Sequence, residues 1–284
     1  MNVYMKEYKD TKISSVLEFL KWIHETKSTE IETDDNTSLS FELFHIYYRG
    51  QADKDWELKP SVFRKQFSEH EILRKAELQL WNEVSPFKTY LEKLIYFQHY
   101  GLSTRLLDVT YNPLIALYFA CCENEEVDGA IYYGYKSENK QYIAEMTAKY
   151  LFTHNFQEGA TGVSNFADEE VENGAFDYFS SPMLILPPVN NPRIEAQNGA
   201  FIMAPLLEME SYDNYDINRN GFEKSDFFNK SRAIIDAKIK KDILKELSVL
   251  GINCGSLYKD VPQKLKVIMQ EEEWLIESTE IDVK

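Results

Sequence analysis

The 284-residue chain carries 31 basic against 47 acidic residues, a formal charge of -16. That balance argues against broad, non-specific binding to nucleic acid or anionic membrane, though local basic clusters can still hold phosphates. A 44% hydrophobic content is ample for a core of one large domain or two small ones.

Three cysteines, the adjacent pair Cys121-Cys122 and a distant Cys254, lack the spacing of a disulfide framework or a zinc site. The five histidines (His24, His45, His70, His99, His154) show no pair at helical ligand spacing, so no metal is expected. No phosphate-binding P-loop, dinucleotide glycine fingerprint or nucleophile elbow occurs. The N-terminus has no signal pattern, and the longest apolar run, Leu114 to Cys122, is about half a membrane span. A soluble, cytoplasmic protein without a membrane partner is the simplest expectation.

In chain order, Ser15 with Glu18 forms a capping-box pattern that predicts a helix over 16–25, and the polar stretch 27–40 reads as a loop. Phe41 to Arg49 is aromatic and β-branched, as strands prefer. Alternation puts Tyr47 and Arg49 on one face and Ile46 and Tyr48 on the other. Arg49 then ends a buried strand, and Gly50 permits a sharp turn or a close approach. Two readings of Arg49 stand side by side: a structural pair with a carboxylate such as Asp108, or a ligand contact.

Ser68 and Glu71 suggest a second capping box, followed by an apolar stripe that Pro86 interrupts. A further helix is predicted from Phe87 to Tyr100, closed by Gly101. His99 lies in its last turn, where the dipole favours the charged ring; a capping role and a catalytic role both fit. Leu102 to Thr110 reads as a connecting loop in which Arg105 and Asp108 are close enough to pair or to face one ligand. Asn112-Pro113 opens a helix that is apolar on every side and therefore buried, with its cysteines as packing residues.

Gly129 to Tyr135 reads as a strand, 139–180 as helical pieces and Met183 to Leu186 as a short strand. Arg193 to Ala204 reads as a strand broken at Asn198-Gly199, with Glu195 and Gln197 on one face. Leu207 to Lys230 lacks periodicity and reads as a surface insertion. Arg232 to Ala237 reads as a last strand, followed by a helix that Gly251 ends and a terminal helix opened by Asp260 and Pro262. The acidic run Glu271-Glu272-Glu273 reads as a solvated helix face. The expected fold is α+β, a single mixed domain with a central sheet and helical decorations. Its segments are an N-terminal helix and loop (1–40), the main domain (41–260) and a C-terminal helix and tail (261–284).

Three segments together resemble the FRG domain, a family named for a Phe-Arg-Gly motif. They are Tyr48-Arg49-Gly50-Gln51 with Trp56 and Pro60; Gln98-His99-Tyr100-Gly101 through Thr104-Arg105-Leu106-Leu107-Asp108 to Asn112-Pro113; and Asn191-Pro192-Arg193-Ile194 with Gln197 and Gly199. Here Tyr48 stands in place of the naming Phe. The Arg-Gly strand end is in turn similar to the first motif of ADP-ribosyltransferases, in which an Arg holds the phosphates of NAD. That similarity implies a largely antiparallel sheet flanked by helices.

It also implies NAD as substrate, with Arg49, Gly50, Gln51, Thr104, Arg105, Asp108 and Gln197 as binding residues and Glu195 and His99 as catalytic ones. Gln197 stands where the transferases usually keep Glu, and only Leu102-Ser103-Thr104-Arg105 offers hydroxyls in place of their Ser-Thr-Ser strand. The implied function is an NAD-using ADP-ribosyltransferase or NAD glycohydrolase, acting as a bacterial toxin or anti-phage effector on a protein or nucleic-acid acceptor. Two alternatives stay open. One is a non-catalytic module binding nucleotide or nucleic acid through Arg49, Lys54, Lys59, Arg64, Lys65 and Arg105, with Tyr48, Trp56 and Tyr100 stacking on bases. The other is an interaction domain in which the charged motif residues only knit the core.

Overall fold

The computed structural model describes residues 8–31, 46–64, 68–135, 141–170, 175–187, 192–211, 214–222 and 227–258, with Val267 and Trp274 as isolated positions. The first part of the expected strand (41–45), Lys65, Asn191, the terminal helix opened by Pro262 and the run 271–273 lie outside the described residues.

The chain opens with β1 (Lys9–Ile13) and α1 (Val16–Ile31), then β2 (Ile46–Gln51) and the short α2 (Ser61–Arg64). Next come α3 (Glu69–Gln79), α4 (Trp81–Val84), α5 (Tyr90–His99), β3 (Leu106–Thr110), α6 (Pro113–Cys121) and β4 (Gly129–Tyr135). The second half holds α7 (Gln141–Thr153), α8 (Gly159–Glu170), β5 (Met183–Ile185), α9 (Pro192–Ala196), β6 (Gly199–Met203) and the hairpin β7 (Leu207–Ser211) and β8 (Asn214–Ile217). It closes with β9 (Ser231–Ile235), α10 (Lys240–Val249) and α11 (Cys254–Tyr258). Seven strands form one sheet in the order β1-β9-β4-β2-β3-β6-β5. Every pairing within it is antiparallel except β1 with β9. The mixed α/β architecture with a largely antiparallel, helix-flanked sheet is therefore as expected.

Strand alternation divides the apolar residues among three cores. One sheet face is continuous: Tyr47, Leu107, Val109, Tyr132, Ile202 and Ile234 meet Phe222 and Phe228 there. The opposite face carries two separate cores. Tyr48, Ile131 and Ala233 pack with α1, α6 and α10; Leu106, Phe201 and Met203 pack with α3, α5 and α7. The boundary between these two helical halves runs along β2 and β3, and a cleft opens there.

Two glycines set the height of α6 above the sheet. A Cβ built on Gly50 would lie 1.8 Å from the Ala116 backbone oxygen, and one on Gly129 2.3 Å from that of Ala120. Gly50 therefore lets the α6 backbone rest directly on β2; the chain does not turn there, since β2 continues to Gln51. The α6 cap is as the sequence predicts, with Asn112 Oδ1 accepting from Leu114 N at 3.0 Å and Pro113 at the first helical position. Cys121 is fully buried, which pushes its thiol up to about 12.

Several expectations are corrected. Leu102–Thr110 is not all loop: its second half is β3, a central strand with four of its five residues buried. The expected strand over 193–204 is the helix α9 followed by β6, because Pro192 suits a first helical turn and Asn198 adopts φ +44° between them. Ser68 makes no side-chain cap bond to α3. The segment expected as a surface insertion forms the β7–β8 hairpin, and its aromatic tail is core: Phe227 stacks on Tyr47 at 5.4 Å and Phe228 meets Tyr132 at 6.2 Å.

Gly50→Ala should lower stability by roughly 1–3 kcal/mol or more, because α6 must lift off β2. Gly101→Ala meets nothing within 4 Å but sits at φ +88°, so about 1–2 kcal/mol of backbone strain is expected. Urea denaturation of both variants checks this, and the account of α6 seating is contradicted if Gly50→Ala costs less than Gly101→Ala.

Candidate functional site

β2 and β3 share a single ladder pair, Tyr48 with Thr110. Beyond it the two strands diverge: β2 continues along β4 through Arg49, Gly50 and Gln51, while β3 continues along β6 through Val109 and Asp108. The sheet thus forks beneath the boundary of the helical halves. A cleft of about 400 Å³ occupies this place, a size within the range of roughly 300–1,000 Å³ usual for small-molecule sites. Its walls are the end of β2, the C-termini of α5 and α6, β3, α9 and the start of β6.

Arg49 crosses the fork. Its Nη1 donates to the backbone oxygen of Asp108 at 2.6 Å, while its Nε is buried with no partner among the described residues. Burial lowers the guanidinium pKa to about 10; the Asp108 charge opposes that fall and Arg64 adds to it. Arg49 therefore stays cationic at neutral pH. Two residues on, Gln51 is 2% exposed and its Oε1 also has no partner, while its Nε2 donates to the Glu57 backbone oxygen at 3.3 Å. Both residues line the cleft, and each unmet buried polar atom costs about 1–3 kcal/mol until something pairs with it.

On the opposite wall, Gln98 and His99 end α5 and Asp108 faces them from β3. Gln98 Nε2 donates to Asp108 Oδ2 at 3.0 Å. The expected charged state of His99 is corrected. Burial, with the nearby Arg193 charge, holds the ring below its ordinary pKa, against the pull of Asp108. Gln197 also lines the cleft; its backbone oxygen accepts from Thr110 Oγ1 at 2.7 Å and its Nε2 donates to the Leu257 oxygen at 3.4 Å.

Residues 44–129 match the family model of the FRG domain. The chain carries an FRG domain. The matched segment holds the fork, Arg49, α5, α6 and most of the cleft wall; α9 and β6 complete it from outside the match. No curated protein and no solved structure matches the chain.

Within this FRG-domain site the structure brings Arg49, Gly50, Gln51, His99, Asp108 and Gln197 together, and it leaves three expected residues out. Arg105 is 1% exposed: its Nε and Nη2 donate to Glu69 Oε2 at 2.9 and 2.6 Å, and its Nη1 to the Pro205 oxygen at 3.0 Å. A guanidinium buried so deeply must be paired, and Glu69 satisfies it instead of a ligand. Thr104 is 0% exposed and supports the wall from behind through a 2.7 Å bond to Gln98 Oε1. Glu195 is exposed on α9 and does not line the cleft, because helical geometry separates it from Gln197 where a strand would align them. Arg49 bonds the carbonyl of Asp108 rather than forming the expected carboxylate pair.

Sequence reasoning assigned no role to Gln98, Arg193 or Lys240. Gln98 lies in the Gln98-His99-Tyr100-Gly101 segment, and its six-residue spacing to Thr104 across the α5 cap is the signal that marks it. Arg193 lies over the Tyr258 ring at 4.5 Å and edges the cleft. Lys240, 0% exposed, donates to the backbone oxygens of Ala52 (2.6 Å), Asn124 (2.9 Å) and Glu123 (3.2 Å), tying the end of β2 to the end of α6. Nothing in the polar run around it marks it as buried. Among the described residues no His, Cys, Asp and Glu side chains cluster as metal ligands, and no helix is long and apolar enough to cross a membrane.

The charges around His99 fix the sign of two shifts. In an NMR pH titration, its midpoint should fall below the ordinary value of about 6.5, fall further in Asp108→Asn and rise in Arg193→Ala. A wild-type midpoint above 6.5 contradicts the burial described for this ring.

Proposed function

We propose that the cleft binds a phosphate-bearing nucleotide, with NAD as the candidate ligand and transfer or hydrolysis at its ribosyl bond as the reaction. The observation that carries this reading is the pairing of a cationic Arg49 with an unsatisfied buried Nε and a buried Gln51 with an unsatisfied Oε1, both beside a cavity of ligand size. A guanidinium grips phosphate oxygens through two N–H groups at once. Chemistry at the ribosyl carbon needs negative charge near the cation that develops there. Asp108 and Glu123 are the acidic residues that line the cleft, and either supplies that charge in place of Glu195. Such an activity fits a toxin or anti-phage effector that modifies a protein or nucleic-acid acceptor or hydrolyses NAD.

Binding without turnover is a second reading, favoured by Gln197 at the position where the transferases keep Glu. The wider nucleic-acid surface loses two of its cations: Lys54 pairs with Asp128 at 2.9 Å and Arg105 is buried. Calorimetric titration with NAD, ADP-ribose and AMP, together with an assay of nicotinamide release, tests the reading. Arg49→Ala should remain folded by circular dichroism and bind at least about 10-fold more weakly, the loss of one charge-assisted contact. Equal affinity of the variant, or no binding by folded wild-type protein, contradicts the proposal. Binding without nicotinamide release selects the second reading.

A further inference from the structure

The wall opposite Arg49 contains a hydrogen-bonded chain of defined polarity. The Thr104 hydroxyl, wholly buried, accepts from Leu106 N at 3.1 Å and donates to Gln98 Oε1 at 2.7 Å. With its oxygen taken, the Gln98 amide must present its NH2 group outward, and Nε2 donates to Asp108 Oδ2 at 3.0 Å. The carboxylate is thus held from behind by a side chain that is itself held. Hydrogen-bonded support of this kind orients a group that meets a ligand. Asp108 is exposed in the middle of a strand whose other four residues are buried. Its Oδ1 has no hydrogen-bond partner among the described residues, and Arg49 spends its contact on the Asp108 backbone oxygen rather than on the carboxylate.

A carboxylate only accepts hydrogen bonds, and it repels phosphate. The group that suits Oδ1 is therefore a neutral donor, with a hydroxyl the simplest. Arg49, bonded to the backbone oxygen of the same residue, presents the opposite chemistry, donors for an anion. A hydroxyl placed next to a phosphate is the arrangement of a sugar phosphate. We infer that Asp108 accepts a hydrogen bond from the ribose 2′,3′-diol of the bound nucleotide. Gln98 and Thr104 act as positioning residues, and the cleft selects ribonucleotides over deoxyribonucleotides. This inference rests on the nucleotide reading of the same cleft.

The test compares AMP, 2′-deoxy-AMP and 3′-deoxy-AMP by calorimetry against wild type, Asp108→Ala, Gln98→Ala and Thr104→Val. In the wild type at least one deoxy form should bind about 10-fold or more weakly than AMP, the loss of a hydrogen bond to a charged acceptor. In Asp108→Ala the affinity for AMP should fall to the deoxy level and the discrimination should vanish. Gln98→Ala and Thr104→Val should reduce the discrimination while leaving the affinity for that deoxy form unchanged. A merely structural Asp108 would weaken all three ligands equally in its variant, and that result overturns the inference. Equal wild-type affinity for AMP and both deoxy forms also overturns it while leaving the nucleotide reading intact. Failure of wild type to bind any of the three overturns both.

Discussion

A single side-chain bond across the fork, from Arg49 Nη1 to the Asp108 backbone oxygen, is the interaction on which the site depends. β2 and β3 part after Tyr48 and Thr110, and backbone groups stripped of a ladder partner are costly unless something replaces it. Arg49 bridges that gap with one of its nitrogens, while its Nε is buried without a partner among the described residues of the cleft wall. The residue after it has to be glycine for a different reason, because α6 lies on β2 with no room for a Cβ. The Arg-Gly pair therefore combines two constraints at one spot: a cation that reaches across a parted sheet, and a bare backbone that lets a helix form the adjacent wall.

The rest of the structure holds these walls in place. The buried Arg105–Glu69 pair ties the start of β3 to α3, and breaking such a pair by removing one partner costs about 3–5 kcal/mol. Glu145 of α7 accepts from Tyr90 N and Leu91 N at 3.0 and 2.8 Å, adding to the Thr89–Glu92 capping box that opens α5. On the other half, the Lys240 ammonium has a carbonyl for each of its three donors, which offsets the burial that lowers its pKa. Each helical half is thus anchored by a buried cation, one paired with a carboxylate and one with helix-end and strand-end carbonyls.

What could be read from the sequence follows from how local each signal was. α6 was legible because Asn112-Pro113 and a wholly apolar run leave one interpretation, and the closure of α5 at Gly101 was legible from the glycine. β3 was hidden because Arg105 and Asp108 made Leu102–Thr110 look like a loop; only the partner Glu69, 36 positions earlier, shows why a charge is tolerated at its start. α9 was hidden because Arg193 to Gln197 alternates in polarity as a strand does, and five residues are too few to reveal a helical period. The aromatic packing of Phe222, Phe227 and Phe228 was hidden because its counterpart, Tyr47, lies about 180 residues away. Arg49, Gln51, Asp108, His99 and Gln197 come to line one cleft, whereas Arg105, Thr104 and Glu195 do not, because their placement depends on side-chain directions that the hidden elements reverse.

The most direct measurement is a ¹⁵N NMR titration with ADP-ribose that follows the arginine Nε–H and glutamine side-chain amide resonances. Binding at the fork should move Arg49 Nε–H and the Gln51 and Gln98 amides, with Arg105 Nε–H, sealed against Glu69, unmoved. A ligand that binds while leaving Arg49 Nε–H and Gln51 in place would contradict the assignment of this cleft as the site.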